Sequence, residues 1–240
     1  MKKSAENEDL LEDGSNYQSN AYAKAAHTVD MAIVRIHENE LQTLLIKRKY
    51  PPFKDKWAIC GGFVQIAQEE ALLDAAKRKL QSEVGVKSIP VRQLATYGDP
   101  HRDPRDRIIS TVYFALVNDE ILSEQTLTAN EDASEVKWVS LRKSRNLAFD
   151  HRQILNDLDT YLQERLLSDG IAFELVSKKF TWTELRQVYQ VVLGRELIAQ
   201  NFPRDIKSQF QIIELDETKS VGRGKPARLC SFGGKVSRFK

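Results

Sequence analysis

Residues 61–86 read GGFVQIAQEEALLDAAKRKLQSEVGV, and this run decides how the first half of the chain folds. Ahead of it, Trp57-Ala58-Ile59-Cys60 is short and apolar, a strand that stops at Gly61-Gly62. From Glu69 to Val84 the residues Ala71, Leu72, Ala75, Ala76, Leu80 and Val84 recur at near 3.6 spacing, which predicts an amphipathic helix. The plan is strand, glycine loop, helix.

Working outward, Val29–Ile36 is β-branched and partly alternating, His37-Glu38-Asn39-Glu40 breaks it, and Leu41–Ile46 follows as the second arm of a hairpin. Further strands are expected at Gln93–Tyr97, Ile108–Val117 and Val136–Val139, and a second long helix at Leu147–Leu167, ended by Ser168-Asp169-Gly170. An α+β domain therefore occupies residues 27–148, with a connecting helix at 149–170. Residues 1–26 are polar, acidic and without periodicity, a disordered leader. Residues 171–240 follow another plan. Phe173–Val176 suggests a short strand. Thr181 and Glu184 form a capping box at the start of a helix whose buried face is Leu185, Val188, Tyr189, Val192 and Leu193, closed by Gly194. A second helix runs from about Asn201 to Gln209, since Pro203 is tolerated only in a first turn. Strands Gln211–Leu215 and Ala227–Phe232 flank a Lys/Arg/Gly turn. Helix, turn, helix and basic hairpin make a winged helix-turn-helix.

Composition bounds the function. The 240 residues suffice for one large domain or two modest ones. No apolar run approaches the roughly 18 residues of a membrane span, and Met1-Lys2-Lys3 leads into polar sequence, so no membrane partner and no secretory signal are expected. Cys60 and Cys230 are too far apart in sequence to suggest a disulfide framework and fit a reducing cytoplasm. The net charge of +2 is a sum over unlike parts. Residues 178–240 hold 13 basic and 6 acidic side chains, whereas the first 177 hold 23 basic and 28 acidic. That asymmetry fits either a module for a polyanion or a solvated basic tail.

Gly62, Glu70, Arg78, Leu80, Glu83, Gly85 and Val86 resemble a Nudix box, with the loop between Gly62 and Glu70 two residues longer than the pattern. The resemblance implies an N-terminal Nudix α/β/α sandwich with a mixed sheet. In the family, carboxylates one, four and five residues after the arginine share a helix face and hold Mg²⁺ through hard oxygen ligands. Here those positions are Lys79, Ser82 and Glu83. One carboxylate of three is left, with a lysine free to pair at i, i+4, so the box is degenerate: no catalytic residue, no metal ligand and no required cofactor are assigned. Binding is the alternative to hydrolysis. Arg102, Arg105 and Arg107 in the loop 98–107 can grip phosphate oxygens, or pair with Asp99, Asp103 and Asp106. Lys47 and Arg48 add positive charge, and Trp57 or Phe63 can stack a base.

Tyr97–Arg107, Gly61-Gly62-Phe63-Val64, Ala148-Phe149-Asp150-His151, Phe180–Leu185, Leu193-Gly194-Arg195 and Asn201-Phe202-Pro203-Arg204 together resemble the Nudix-related transcriptional regulators of NAD metabolism. The resemblance covers about residues 28–210. It implies a Nudix domain that senses ADP-ribose, a winged helix that represses NAD biosynthesis or salvage genes, and a homodimer that reads a palindromic operator and releases it on binding effector. Pro203 departs from the basic residue expected there. On the winged helix, Gln200, Asn201, Arg204 and Lys207 suit base edges or phosphates in double-stranded DNA, with Asn201 equally suited to a helix cap. Lys219, Arg223, Lys225 and Arg228 place charge on the wing, and Thr181 and Thr183 stand at a helix start that can hold phosphate. The other reading is a Mg²⁺-dependent ADP-ribose pyrophosphatase with an accessory nucleic-acid-binding domain.

Overall fold

A computed structural model describes residues 24–68, 70–87, 89–130, 132–220 and 225–236. The leader therefore lies almost wholly outside the described residues, as does Arg223. Strand β1 (Ala26–His37) is buried without a break from Thr28 to Val34, because strands pair along both its edges and helices cover both its faces. On one edge it pairs in parallel with β6 (Ile108–Leu116), beyond which lies antiparallel β5 (Arg92–Tyr97). On the other it meets antiparallel β2 (Glu40–Arg48) and β4 (Cys60–Phe63). β2 in turn pairs with β3 (Trp57–Ala58) and β7 (Ala133–Ser140), giving a seven-stranded mixed sheet. The β1–β2 turn holds Glu38 and Asn39 at φ 49° and 62°, the left-handed pair that a two-residue hairpin of matching twist needs.

Strand alternation divides the core. Val29, Met31 and Ile33 face helix α1 (Leu72–Val84), which contributes Ala75, Ala76, Leu80 and Val84. Ala32 and Val34 face helix α3 (His151–Arg165), which contributes Ile154, Leu155, Leu158 and Leu162. The connecting helix is thus also the second layer of the sandwich. A short α2 (Asp119–Ser123), absent from the sequence reading, is capped by Asn118, whose side chain accepts from Ile121 N–H.

Several boundaries differ from expectation for identifiable reasons. α1 begins at Leu72, not Glu69, because Glu70 is spent as a loop anchor, accepting from Gln65 N–H at 2.9 Å and from Arg78. α3 begins at His151 because Asn146 and Phe149 have positive φ and Leu147 bridges to Trp57. Ile171–Glu174 is a 3-10 turn in place of a strand at Phe173–Val176, entered through Gly170 at φ 71°.

The C-terminal part holds α4 (Trp182–Leu193), α5 (Phe202–Lys207), β8 (Phe210–Lys219) and β9 (Ala227–Lys235). The capping box is formed: Thr181 Oγ1 accepts from Glu184 N–H at 3.2 Å, and the Glu184 carboxylate accepts from Thr181 N–H at 2.7 Å. Gly194 ends α4 at φ 66°. α5 is a turn shorter than expected, with Pro203 in its first turn. Phe180 and Cys230 exchange two backbone hydrogen bonds, which tie the hairpin to the start of α4. Tyr189, Phe202, Phe210 and their neighbours belong to the same buried cluster as Val34 and Leu158, so one apolar core runs from under the sheet into the winged helix. Among the described residues no helix is long and apolar enough to cross a membrane.

Candidate functional site

A cavity of about 400 Å³ opens between β1, β4, α1, the loop 98–107 and Phe149. The two glycines that follow Cys60 make room for it. A Cβ on Gly61 would come within 2.2 Å of Asp30 Oδ1 and 2.5 Å of Val29 O, and one on Gly62 within 2.4 Å of Lys79 Cε. α1 turns the Nudix-box positions toward this space. Lys79 Nζ lies 3.4 Å from Glu83 Oε1 and 3.3 Å from Asp132 Oδ2, so the i, i+4 pairing is present and has a third member. Glu83 is fully buried, its Oε2 accepts from Gly61 N–H at 3.2 Å, and burial pushes its carboxyl pKa up against the pull of Lys79. Ser82 Oγ is buried without a hydrogen-bond partner among the described residues.

These residues do not fit a divalent cation. Mg²⁺ takes oxygen ligands, and the three positions offer an ammonium, a buried hydroxyl and a carboxylate already paired. Among the described residues no group of three or more His, Cys, Asp or Glu is placed to hold a metal. Glu70, by contrast, is locked to Arg78, with Arg78 Nη2 at 2.8 Å, and these hydrogen bonds hold its pKa down to about 2.

The arginine loop divides between two roles. Arg102 is buried, bonding Asp150 through Nε and Nη2 at 2.8 Å each and reaching Asp30 at 3.4 Å. Its guanidinium thus pairs with aspartates outside the loop and not with Asp99, Asp103 or Asp106, yet it lines the cavity. Arg105 does pair with Asp103, at 2.6 Å, and its guanidinium lies 4.8 Å from the Phe63 ring centre. Arg48 stands 4.9 Å over Phe149. Phe63, Phe149 and Tyr50 line the same space, a wall suited to stacking a base. His151 behind it is kept neutral by burial, accepting from Ile59 N–H through Nδ1.

Three expected pocket residues lie elsewhere. Lys47 pairs with Glu135 at 3.7 Å, and Arg107 is exposed at the far end of its loop; neither lines the cavity. Trp57 packs against the lower core with Lys137 Nζ 3.6 Å over its ring, so it is covered and cannot stack a base in this cavity. Sequence reasoning missed Asp132, Tyr50 and Phe149. Phe149 belongs to a run that carried the resemblance, while Asp132 and Tyr50 gave no local signal.

On the winged helix, Arg204 and Lys207 lie on the exposed side of α5 and Gln200 and Asn201 in the exposed turn before it, with Phe202 and Ile206 turned inward. Asn201 makes no side-chain cap, which leaves its amide to solvent. Thr183 is exposed, but Thr181 is 1% exposed with its hydroxyl engaged by Glu184. Its side chain is a cap, and its backbone N–H also donates to Glu184, at 2.7 Å. Four of the candidate cations are paired: Arg204 with Asp205 at 3.2 Å, Lys207 with Glu214 at 2.7 Å, Lys219 with Glu184 at 2.6 Å, and Arg228 with Asp216 at 3.1 Å. Lys225 is exposed beside them.

The two sites are joined through α3. Its first turn carries Asp150 and His151 at the cavity. Two turns on, Asp159 holds Arg142, whose Nη1 donates to Val191 O at 2.9 Å and whose Nη2 donates to Val192 O, at the end of α4. Asn118 Nδ2 adds a bond to Val176 O at 2.7 Å.

The sequence profile of the NUDIX domain matches residues 26–158, and that of the NrtR DNA-binding winged helix domain matches residues 172–232. The chain is 34% identical over 220 residues to the ADPR responsive transcriptional repressor NtrR of Acinetobacter baylyi, covering 91% of this chain and 86% of that one. It is 38% identical over 127 residues to the ADP-ribose pyrophosphatase of Methanocaldococcus jannaschii, covering 53% of this chain and 71% of that one. Shewanella oneidensis NrtR complexed with a 27mer DNA superposes with a TM-score of 0.73 at 27% identity, over 88% of this chain and 99% of that one. The NUDIX domain of that protein complexed with ADP ribose gives 0.54 at 31%, over 61% and 94%. Fold and site thus define a two-domain class, a Nudix sandwich carrying a small-molecule pocket and fused to a DNA-binding winged helix. The chain belongs to the Nudix-related transcriptional regulators of the NrtR type.

Proposed function

We propose that this protein is a cytoplasmic transcriptional repressor of NAD biosynthesis or salvage genes, released from its operator by ADP-ribose. Residues 27–148 form the sensor, 149–170 the connecting helix and 171–240 the DNA-binding domain, with a homodimer matching a palindromic site. The observation that carries the reading is the cavity. Among its lining side chains, Arg48, Arg78, Lys79, Arg102 and Arg105 are cationic and Asp30, Asp103 and Asp132 anionic, an excess of positive charge that suits a diphosphate beside rings that suit a base. Relatives that respond to or bind ADP-ribose and DNA support the same ligands. Ligand engaging Arg102 acts on Asp150 at the head of α3, and α3 holds α4 through Asp159 and Arg142. Such coupling requires different affinity for ligand in the DNA-bound and free arrangements. A gel shift on operator DNA selected by the protein tests it: saturating ADP-ribose lowers the bound fraction, and an unchanged shift refutes the sensing half.

Similarity to an ADP-ribose pyrophosphatase favours a second reading, hydrolysis of ADP-ribose to AMP and ribose 5-phosphate. Lys79 in a ligand position and the buried, already paired Glu83 argue that catalysis is lost. Mg²⁺-dependent release of AMP that disappears in Glu83→Gln would establish the enzyme reading instead.

A further inference from the structure

We propose that the Lys79 ammonium replaces the divalent cation of the Nudix box, so that this protein binds its diphosphate ligand without metal. The inference rests on the ligand class argued above and concerns how that ligand is held.

The geometry places a fixed positive charge where the box helix presents its metal-ligand face. Lys79 lines the cavity with its side chain 11% exposed, crosses over Gly62, and is held between Glu83 and Asp132 at 3.4 and 3.3 Å. Gly62 is part of this arrangement, since a Cβ there would meet the lysine side chain at 2.4 Å. Those carboxylates come from different elements, α1 and the segment before β7, and clamp the ammonium from two sides. A Mg²⁺ entering here has to displace a like charge that already forms an ion pair with both. A phosphate oxygen that reaches the ammonium competes with its carboxylate partners for the N–H donors. A lysine presents a point charge and demands no octahedral water shell, so binding through it costs no dehydration of metal. It also lacks what Mg²⁺ brings to hydrolysis, a coordinated water made more acidic. One substitution thus keeps the electrostatic half of the site and removes its nucleophile-generating half.

The test is calorimetric titration of ADP-ribose into the full chain, in EDTA and again in excess Mg²⁺. Wild-type affinity is expected to be the same in both to within about twofold. Lys79→Met weakens it by about tenfold or more in both buffers, the scale of one charge-assisted hydrogen bond, and Lys79→Arg retains most of it. Lys79→Glu binds poorly in EDTA and recovers with Mg²⁺, and the same variant takes up Mn²⁺ visible by electron paramagnetic resonance where wild type takes up none. Since Lys79→Met leaves Glu83 buried without its partner, the double variant Lys79→Met/Glu83→Gln is titrated as well and shows the same loss. Wild-type binding that appears only with Mg²⁺ overturns the inference while leaving ADP-ribose as the ligand. A Lys79→Met protein that binds as wild type also overturns it. Absence of ADP-ribose binding in either buffer removes the ligand assignment, and this inference with it.

Discussion

Arg102 in the cavity and Arg228 on the wing each sit between two carboxylates, but under opposite conditions. Arg102 is buried with Asp30 and paired to the half-buried Asp150. Arg228 lies at the surface with Glu214 and Asp216, the latter wholly exposed. A buried ion pair is unscreened, and its loss leaves charges that the interior cannot solvate. A surface pair is worth little, is weakened by salt, and gives way to a better anion. The cavity is therefore set in place before ligand arrives, whereas the wing holds its cations loosely on its own acidic side chains until phosphate replaces them. Recognition of a small ligand rests on fixed geometry, and DNA attraction rests on exchangeable charge.

Removing the buried guanidinium should produce the largest effect. Arg102→Ala leaves Asp30 and Asp150 uncompensated and is expected to cost about 3–5 kcal/mol, measured by urea denaturation; a loss below about 1 kcal/mol would erase the contrast with the wing. Next comes the link between regions. Arg142→Ala frees two carbonyls at the end of α4 together with Asp159, at a cost of about 1–3 kcal/mol, and should blunt the response of DNA binding to ADP-ribose more than it weakens ADP-ribose binding. If the response is intact, α3 is not the route.

On the wing, Arg228→Ala should weaken all DNA sequences alike and reduce the salt slope of log K by about 1, with no change in ADP-ribose affinity. A sequence-selective loss would mean that Arg228 reads bases. The smallest effect concerns acid. Glu70 has its pKa lowered from 4.5 to about 2 by Arg78, so its contribution to stability is complete above 4.5 and is lost as pH falls through about 2. The stability gap between wild type and Glu70→Gln should close over that interval and be level above it; a gap that widens on acidification contradicts the assignment.

What the sequence revealed follows from how local each signal is. The apolar face and C-terminal end of the box helix, the capping box at Thr181 and Glu184, and the positive-φ end at Gly194 are encoded within a few residues and appear where periodicity and caps place them. The Lys79–Glu83 pair was legible for the same reason. Asp132 was not, because it meets Lys79 from across the chain, and the same holds for Arg102, whose carboxylate partners Asp30 and Asp150 come from distant segments and not from its own loop. Trp57 has the chemistry of a base stacker, and only tertiary packing under Lys137 removes it from the cavity. The start of α3 was misplaced because left-handed Phe149, a non-glycine residue, carries no local mark. The charge division, equally a tail or a DNA module on numbers alone, is decided by the fold that carries it.

The central claim is that ligand in the Nudix cavity governs DNA on the winged helix. Fluorescence anisotropy of labelled operator, with ADP-ribose titrated into the preformed complex in EDTA, tests it most directly. The account predicts release of DNA that saturates with ADP-ribose and needs no Mg²⁺. Anisotropy that stays constant while calorimetry shows the cavity filled would contradict it.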